Sequence, residues 1–432
     1  MNIEIVKTYI LILLVVISLV LTLALSNNQP KQETIHNATS EYVNEVDLGG
    51  QEETKHRMIE PRSIIFHNNE RYYGFSEQSE EKKLYHDMQE WALDDVKTSV
   101  ADGPPTDDIK VEVAFPTAMP VEVIKSAFNL NTDASLPDWS FQRMFITFNQ
   151  SESILNVHFI STDDRKEVTA IARNTKLYNT LRTYMTDDVK LSEFMTLNTG
   201  HLPIYFPVEG PEMKARSFAF NHIDTDLLVN ALFNNPSSVN LNAGEAYYTD
   251  GQRGMEILND GESMEFVNPI HSNKEHKDAM ELLEQSLSNI NGHKGWTDKY
   301  FLEEIDTNAD LIRYQMKYDD YPVFNSSGLT VIEQQWFNQE LHSYKRPLFS
   351  LNNLLTSDVV SLPSGKEVSY YLETNDYYIV SDIQDVRIGY KLTYSEQASY
   401  SVILEPSWYV KYNDEWQEIK VEDLNSYKKG GS

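Results

Sequence analysis

The sequence predicts an α+β protein: a single N-terminal transmembrane helix followed by a multi-domain extracytoplasmic body of mixed, mostly antiparallel sheets with flanking helices. Three observations carry this expectation. Residues 9–25 are an unbroken apolar run, short stretches of period-two alternation are closed by Asn, Asp and Gly turns, and a few amphipathic helical stretches lie between them. They divide the chain into a cytoplasmic stub with the membrane helix (1–26), a flexible tether (27–60), an N-terminal extracytoplasmic domain (61–195), a central domain (196–272) and a C-terminal domain (273–432).

The run YILILLVVISLVLTLAL, residues 9–25, contains no charge, Gly or Pro. As a helix it covers roughly 26 Å, near the hydrocarbon thickness of a bilayer. Ala24-Leu25-Ser26 offers small residues to a signal peptidase, so a cleaved signal is the competing reading. The run nevertheless exceeds the roughly 7–15 apolar residues of such a segment, which favours a retained anchor. A lipoprotein is excluded because there is no Cys to acylate. Lys7 and the terminal amine outweigh Glu4, which keeps the short end in the cytoplasm and places the body outside. Ser18 and Thr22 lie four apart on one face, with Leu11, Leu14 and Val15 beside them. Such a face suits close contact with a partner helix; the alternative is that each hydroxyl bonds the carbonyl four residues earlier.

Hydrophobic residues at 41% and aromatics at 11% suffice for packed cores. The absence of Cys excludes disulfides, Cys-ligated zinc, iron–sulfur clusters and thiol nucleophiles. A net charge of −30 repels phosphate backbones, so no nucleic acid is expected as a partner. The acidity is read as solubility from evenly spread carboxylates, with attraction of cations or a basic partner as the alternative.

Residues 27–58 are polar and aperiodic, and a coil of that length reaches roughly 30 Å. SIIFH and RYYGF read as a hairpin around Asn68-Asn69, followed from Ser76 by a helix to about Val96 with Leu84, Met88 and Trp91 on one face. Next come a strand at 110–115, a short helix near 121–128, strands at 141–148, 154–161 and 166–172, and a helix near 177–185. LPIYFP and ARSFAF read as strands, 225–233 as a helix, and MEI and MEFV as strands. Ala279, Leu282, Leu283, Leu287 and Ile290 share a helix face that stops at Asn291-Gly292. Ile312, Tyr314, Met316 and Tyr318 alternate with Arg313, Gln315 and Lys317, the period of a half-buried strand. A hairpin is expected at Asn338-Gln339 and strands throughout from Glu367, ending in one with Trp408, Val410 and Tyr412 on one side that turns at Asn413-Asp414. LFNNPSSVNLNAGEAYYTDG and LNNLLTSDVVSLPSGKEVSYYLETND share an order of helix end, Ser/Val strand and Tyr-Tyr strand, read as tandem related units or as chance.

No catalytic, cofactor or metal residues are assigned. Asp306, Asn308 and Asp310 have the one-three-five spacing of a calcium loop. Leu311 and Lys317, however, stand where its Gly and bidentate Glu belong, so a hairpin turn is expected. His271 and His276 sit in a linker with four residues between them and are read as solvated. Ser79 with Lys82, and Ser426 with Lys429, fit SxxK but lack SDN and KTG partners. No HExxH, GxSxG, GxGxxG or complete phosphate loop occurs. The Tyr pairs at 72–73, 247–248, 370–371 and 377–378 are read as strand alternation in preference to a ligand platform.

Six stretches carry a resemblance: LVVISLVLTLAL followed by SNNQP, EPRSIIFH, RGMEILNDGESMEFVNP, QELHSYKRPLFSLN, VSLPSGKEV and EPSWYVKYNDEWQEI. In their order and architecture the chain resembles the YycH family, membrane-anchored accessory proteins of the WalK/WalR (YycG/YycF) two-component system in low-GC Gram-positive bacteria. Residues 101–195 contribute no quotable match. The resemblance implies a three-domain body whose later domains are similar in fold to the sister protein YycI. It also implies a membrane helix that associates with a YycI-like protein and with the sensor histidine kinase WalK/YycG. Such proteins tune the kinase, and through it cell-wall metabolism, with no enzymatic motif and no cofactor; the sign of the effect differs between relatives. The alternative is an anchored extracellular protein that binds wall polymer or peptide, with a wall hydrolase less favoured.

Overall fold

Antiparallel pairing of the period-two stretches builds two sheets. The first has ten strands in the order Ile204–Pro207, Leu191–Leu197, Arg71–Phe75, Ser63–Asn68, Ile109–Pro120, Ser140–Asn149, Ile154–Ser161, Lys166–Ala172, Ala92–Val100 and Asn129–Leu130. Only the last pair is parallel. One face of this sheet is apolar, and ring contacts place two helices over it: Tyr85 of Gln78–Gln89 lies 6.2 Å from Phe115, and Tyr184 of Thr175–Thr186 lies 5.2 Å from Phe75. The computed structural model describes residues 46–420 and Leu424, except 132–134, 187–189, 198, 200–201, 243–245, 270–276, 338 and 396–400. The stretch 9–25 with Leu11, Leu14, Val15, Ser18 and Thr22 therefore lies outside the described residues, as do His271, His276, Ser426 and Lys429. No helix among the described residues is long and apolar enough to cross a membrane.

The second sheet has fourteen strands. Leu311–Tyr318, Tyr321–Phe324, Ile383–Tyr394 and Ser401–Tyr412 run through its middle, and the pairing of Tyr321–Phe324 with Ile383–Tyr394 is its one parallel step among the described strands. Asn240–Asn242 forms one end and Phe349–Ser361 the other. Turns at Asp319-Asp320 and Asn413-Asp414 have positive φ at both residues, the backbone that closes a two-residue hairpin in step with strand twist. The helix Ala279–Asn291 is capped by Asp278, which accepts the Glu281 N–H at 2.7 Å. It buries Leu282, Leu283, Leu287 and Ile290, while Tyr314 donates to its Ser286 Oγ at 3.0 Å. The described residues fall in one compact unit.

The α+β architecture, mostly antiparallel with flanking helices, agrees with expectation, but five local readings need correction. Residues 46–60, assigned to the flexible tether, pack on the body: the Leu48 N–H donates to the His293 carbonyl at 3.1 Å, and Met58 and Ile59 are buried at the end of the helix Lys55–Met58. The helix from Ser76 ends at Gln89, and Ala92–Val100 is a strand paired with Lys166–Ala172. Asp95, at φ 54°, cannot continue a helix, and the β-branched Val96, Thr98 and Val100 suit the ladder. Strands do not run throughout from Glu367: Gly365–Thr374 is a helix, started by a reciprocal capping box between Ser364 and Glu367. Tyr370-Tyr371 therefore sits on a helix whereas Tyr247-Tyr248 sits on a strand, which removes the tandem-unit correspondence. Finally, Leu311–Tyr318 is half-buried only at its start. Gln315 and Lys317, assigned to the wet face, are 4% and 6% exposed because other segments cover that face.

Candidate functional site

The covering of Lys317 locates the most unusual chemistry in the described body. Glu60 and Arg62 lie on the short link between the helix Lys55–Met58 and the strand Ser63–Asn68, where the first sheet meets the second. The Asp319-Asp320 turn folds Asp320 back to 3.7 Å from the Lys317 ammonium, which also bonds Glu60. Lys82, from the helix Gln78–Gln89, completes the group at 2.8 Å from Asp320 and 3.6 Å from Glu60. Burial pushes the Lys317 ammonium below its ordinary range, against the opposing pull of Glu60.

A second network lies across the same joint. Arg387 donates from Nε to Asp385 at 2.6 Å and from a terminal nitrogen to Glu303 at 2.9 Å, while Arg62 reaches Asp385 at 3.2 Å from the first sheet's side. The Arg387 guanidinium also stacks 4.8 Å over the Trp416 ring. Burial works against its charge, but Asp385 and Glu303 more than offset that and raise its pKa. Apolar and polar contacts tie the same joint: Phe206 of the first sheet meets Trp408 of the second at 5.9 Å, and Ile305 N–H donates to Thr117 Oγ1 at 3.3 Å.

Between the networks opens a cleft of about 500 Å³ with aromatic walls that include Phe75, Phe194, Phe301 and Tyr321. Glu81, 6% exposed, lines it and accepts the Ile64 N–H at 3.1 Å. Burial, with Glu60 adding, pushes its carboxyl up to about 8, so at neutral pH it is an uncharged acid. Ser63 Oγ, also in the lining, is buried without a hydrogen-bond partner among the described residues. Most charges here are already paired with one another, so the arrangement fixes how two sheets meet. No histidine is among the described lining residues.

The residues singled out by spacing fall into place individually. Lys82 belongs to the joint, and Ser79 Oγ turns to Glu77, so the SxxK pair is not a nucleophile and base. Asp306 accepts the N–H groups of Asn308 and Ala309 at 2.8 and 3.2 Å, and Asp310 accepts that of Lys277 at 3.0 Å. The Asp306 carboxylate serves the hairpin turn, as expected, and that of Asp310 ties the turn to the segment before the helix Ala279–Asn291. Among the described residues no group of three or more His, Asp or Glu is placed to hold a metal ion. Of the Tyr pairs, Tyr371, Tyr377 and Tyr378 gather around one another and Tyr412, whereas Tyr72 packs on Tyr205 in the first sheet. Sequence reasoning missed Glu60, Glu81, Lys317 and Arg387. Nothing in their spacing or local composition sets them apart, since Arg313, Asp385 and Lys391 stand in the same strands.

Comparison with known proteins gives a consistent result. Residues 4–189 match the family described as YycH protein, N-terminal domain, and residues 202–428 match YycH protein, C-terminal domain. A Bacillus subtilis (strain 168) protein described as two-component system WalR/WalK regulatory protein YycH is 22% identical over 436 residues, covering 95% of both chains. The crystal structure of YycH from Bacillus subtilis superposes with a TM-score of 0.72 at 21% identity, covering 88% of this chain and 100% of that one.

Proposed function

The chain belongs to the YycH family, and we propose that it is a non-enzymatic, membrane-anchored regulator of a sensor histidine kinase of the WalK/YycG type. In this reading it works together with a YycI-like protein and affects cell-wall metabolism. The observation that carries it is the end-to-end match to a relative named as a WalR/WalK regulatory protein. The apolar run at residues 9–25 supplies the route: it anchors the chain, leaves the body outside the cell and presents the Ser18/Thr22 face, with Leu11, Leu14 and Val15, to its partners. The later part of the body is then similar in fold to YycI.

Regulation needs only that the helix bind two kinase states with different free energies. A difference of about 1.4 kcal/mol shifts the equilibrium roughly tenfold. Interhelical contacts in lipid, each worth about 0.6 to 2 kcal/mol, supply that from two or three side chains. Replacing Ser18 and Thr22 together by Leu is expected to weaken association with the kinase in membranes; unchanged association rules out this face. The second reading, a binder of wall polymer or peptide, draws on the aromatic cleft at the joint. A chain truncated after residue 35 separates the two. Kinase regulation by that short chain supports the membrane helix as effector, and regulation that requires the body favours the binder.

A further inference from the structure

The cleft at the joint, about 500 Å³, falls within the roughly 300–1,000 Å³ of sites for small ligands. It holds two deep polar groups with unused hydrogen-bonding capacity. Glu81 is 6% exposed, and among the described residues only its Oε2 has a partner, the Ile64 N–H. Ser63 Oγ, one residue before Ile64, is buried with none among the described residues. Buried polar atoms are ordinarily paired, so two short of partners in one lining leave room for a polar guest. Half-buried rings face the same space from both sheets, Phe194 from the first and Phe301 and Tyr321 from the second. A Cβ at Gly74 would collide with the Phe194 ring, so this glycine lets the ring lie directly on the backbone.

Charge selects the guest. The basic groups around the cleft are taken up: Arg62 and Arg387 by Asp385 and Glu303, Lys82 and Lys317 by Glu60 and Asp320. At the exposed mouth, Glu77 and Glu212 have no basic partner among the described residues. The segment bearing Glu212 is fixed there, because the Leu362 N–H donates to the Pro211 carbonyl at 3.1 Å and the Gly365 N–H to that of Val208 at 2.9 Å. This surplus repels an anionic polymer and gives a neutral sugar nothing, but it draws in a cation. We propose that the cleft takes a lysine side chain of an extended peptide, its ammonium on Glu81 and Ser63 and its stem among the rings of Phe194, Phe301 and Tyr321. An ammonium beside Glu81 favours the charged carboxylate, so the acid proton passes to solvent as the ion pair forms. Glu81 offers one oxygen while Ile64 holds the other, which suits the point charge of lysine better than the two-pronged fork of arginine. The aromatic faces add cation–π attraction. This inference gives the second reading above, a peptide binder, its ligand chemistry and rests on that reading; the membrane helix plays no part in it.

Calorimetric titration of the full chain in detergent micelles tests this with three probes: the blocked peptide Ala-Lys-Ala, the same peptide with norleucine for lysine, and a chitin oligosaccharide. Norleucine keeps the stem and removes the charge. The lysine peptide is expected to bind saturably and the norleucine peptide at least about tenfold more weakly, a comparison made on the unaltered chain. Glu81→Gln keeps the shape and the acceptor for Ile64; it is expected to weaken the lysine peptide by a similar factor and to leave the norleucine peptide unchanged. Glu212→Gln is expected to weaken the lysine peptide only a few-fold, an effect that high salt removes. Equal binding of the lysine and norleucine peptides, or binding of the oligosaccharide alone, overturns the lysine assignment and leaves the chain a binder of another ligand. Lysine binding indifferent to Glu81→Gln places the ammonium elsewhere and overturns it too. Binding of none of the three probes overturns the assignment together with the binder reading of this cleft.

Discussion

At the joint between the sheets, Lys317, Arg387, Glu60 and Asp385 are charged side chains largely withdrawn from water; at the open edge, Leu354, Leu355 and Val359 are aliphatic side chains left in it. Each region breaks the ordinary partition of residues, and the two resolve differently. The joint's charges find partners within the chain, so their specificity is spent on holding Glu60 and Arg62 against the second sheet. The edge pairs on one side only among the described residues, with Glu212–His222, and its aliphatic side chains stay in solvent. The contrast teaches that a buried charge and an exposed aliphatic, equally unusual in isolation, point inward and outward respectively.

The comparison is broken most easily at Arg387. Truncation to Ala leaves Asp385 and Glu303 buried without their shared cation and is expected to destabilise the protein by about 3–5 kcal/mol in urea unfolding. A loss below about 1 kcal/mol would place the network with the weak surface pairs. Glu81 sharpens the point through pH. Its carboxyl titrates near 4.5 in an unfolded chain and near 8 in the fold, so the folded protein holds a proton that the unfolded chain has released. Its contribution is complete below pH 4.5 and is lost as pH rises through about 8, with a slope of up to about 1.4 kcal/mol per pH unit. Glu81→Gln, neutral throughout, is expected to flatten the fall in stability between pH 5 and pH 8; an identical pH profile would mean that the carboxyl is not held protonated.

Smaller changes are expected beyond the joint. Ser364→Ala removes the capping box of Gly365–Thr374 and is expected to cost about 1 kcal/mol. Leu355→Lys on the edge is expected to leave the unfolding free energy of the single chain within about 0.5 kcal/mol of its original value, because the side chain contacts little. A large destabilisation there would show that the edge is already engaged in the fold.

Much of the framework was legible in the sequence because it is local. Apolar runs bounded by turn residues located the strands Ser63–Asn68 and Ile154–Ser161, the row of Trp408, Val410 and Tyr412 located Ser401–Tyr412, and the apolar face of Ala279–Asn291 located its helix. Asn413-Asp414 marked a turn that the positive φ values at both residues explain. The helix Gly365–Thr374 was misread even though Ser364 and Glu367 spell its capping box, because the adjacent tyrosines suggested a strand. The joint was not legible: Glu60, Lys82, Lys317 and Arg387 come from four separate elements, and no spacing in the chain announces that they meet. Lys317 was hidden further by lying on the polar row of an alternating strand, where exposure is the ordinary outcome.

The proposed regulation depends on residues 9–25 acting as more than a tether. Full chains carrying either the native run or an unrelated apolar span of equal length can be compared for co-purification of the sensor kinase from membranes. The native run is expected to retain the kinase and the exchanged span to lose it, with the body equally stable in both. Undiminished retention after the exchange would contradict the membrane helix as the point of contact.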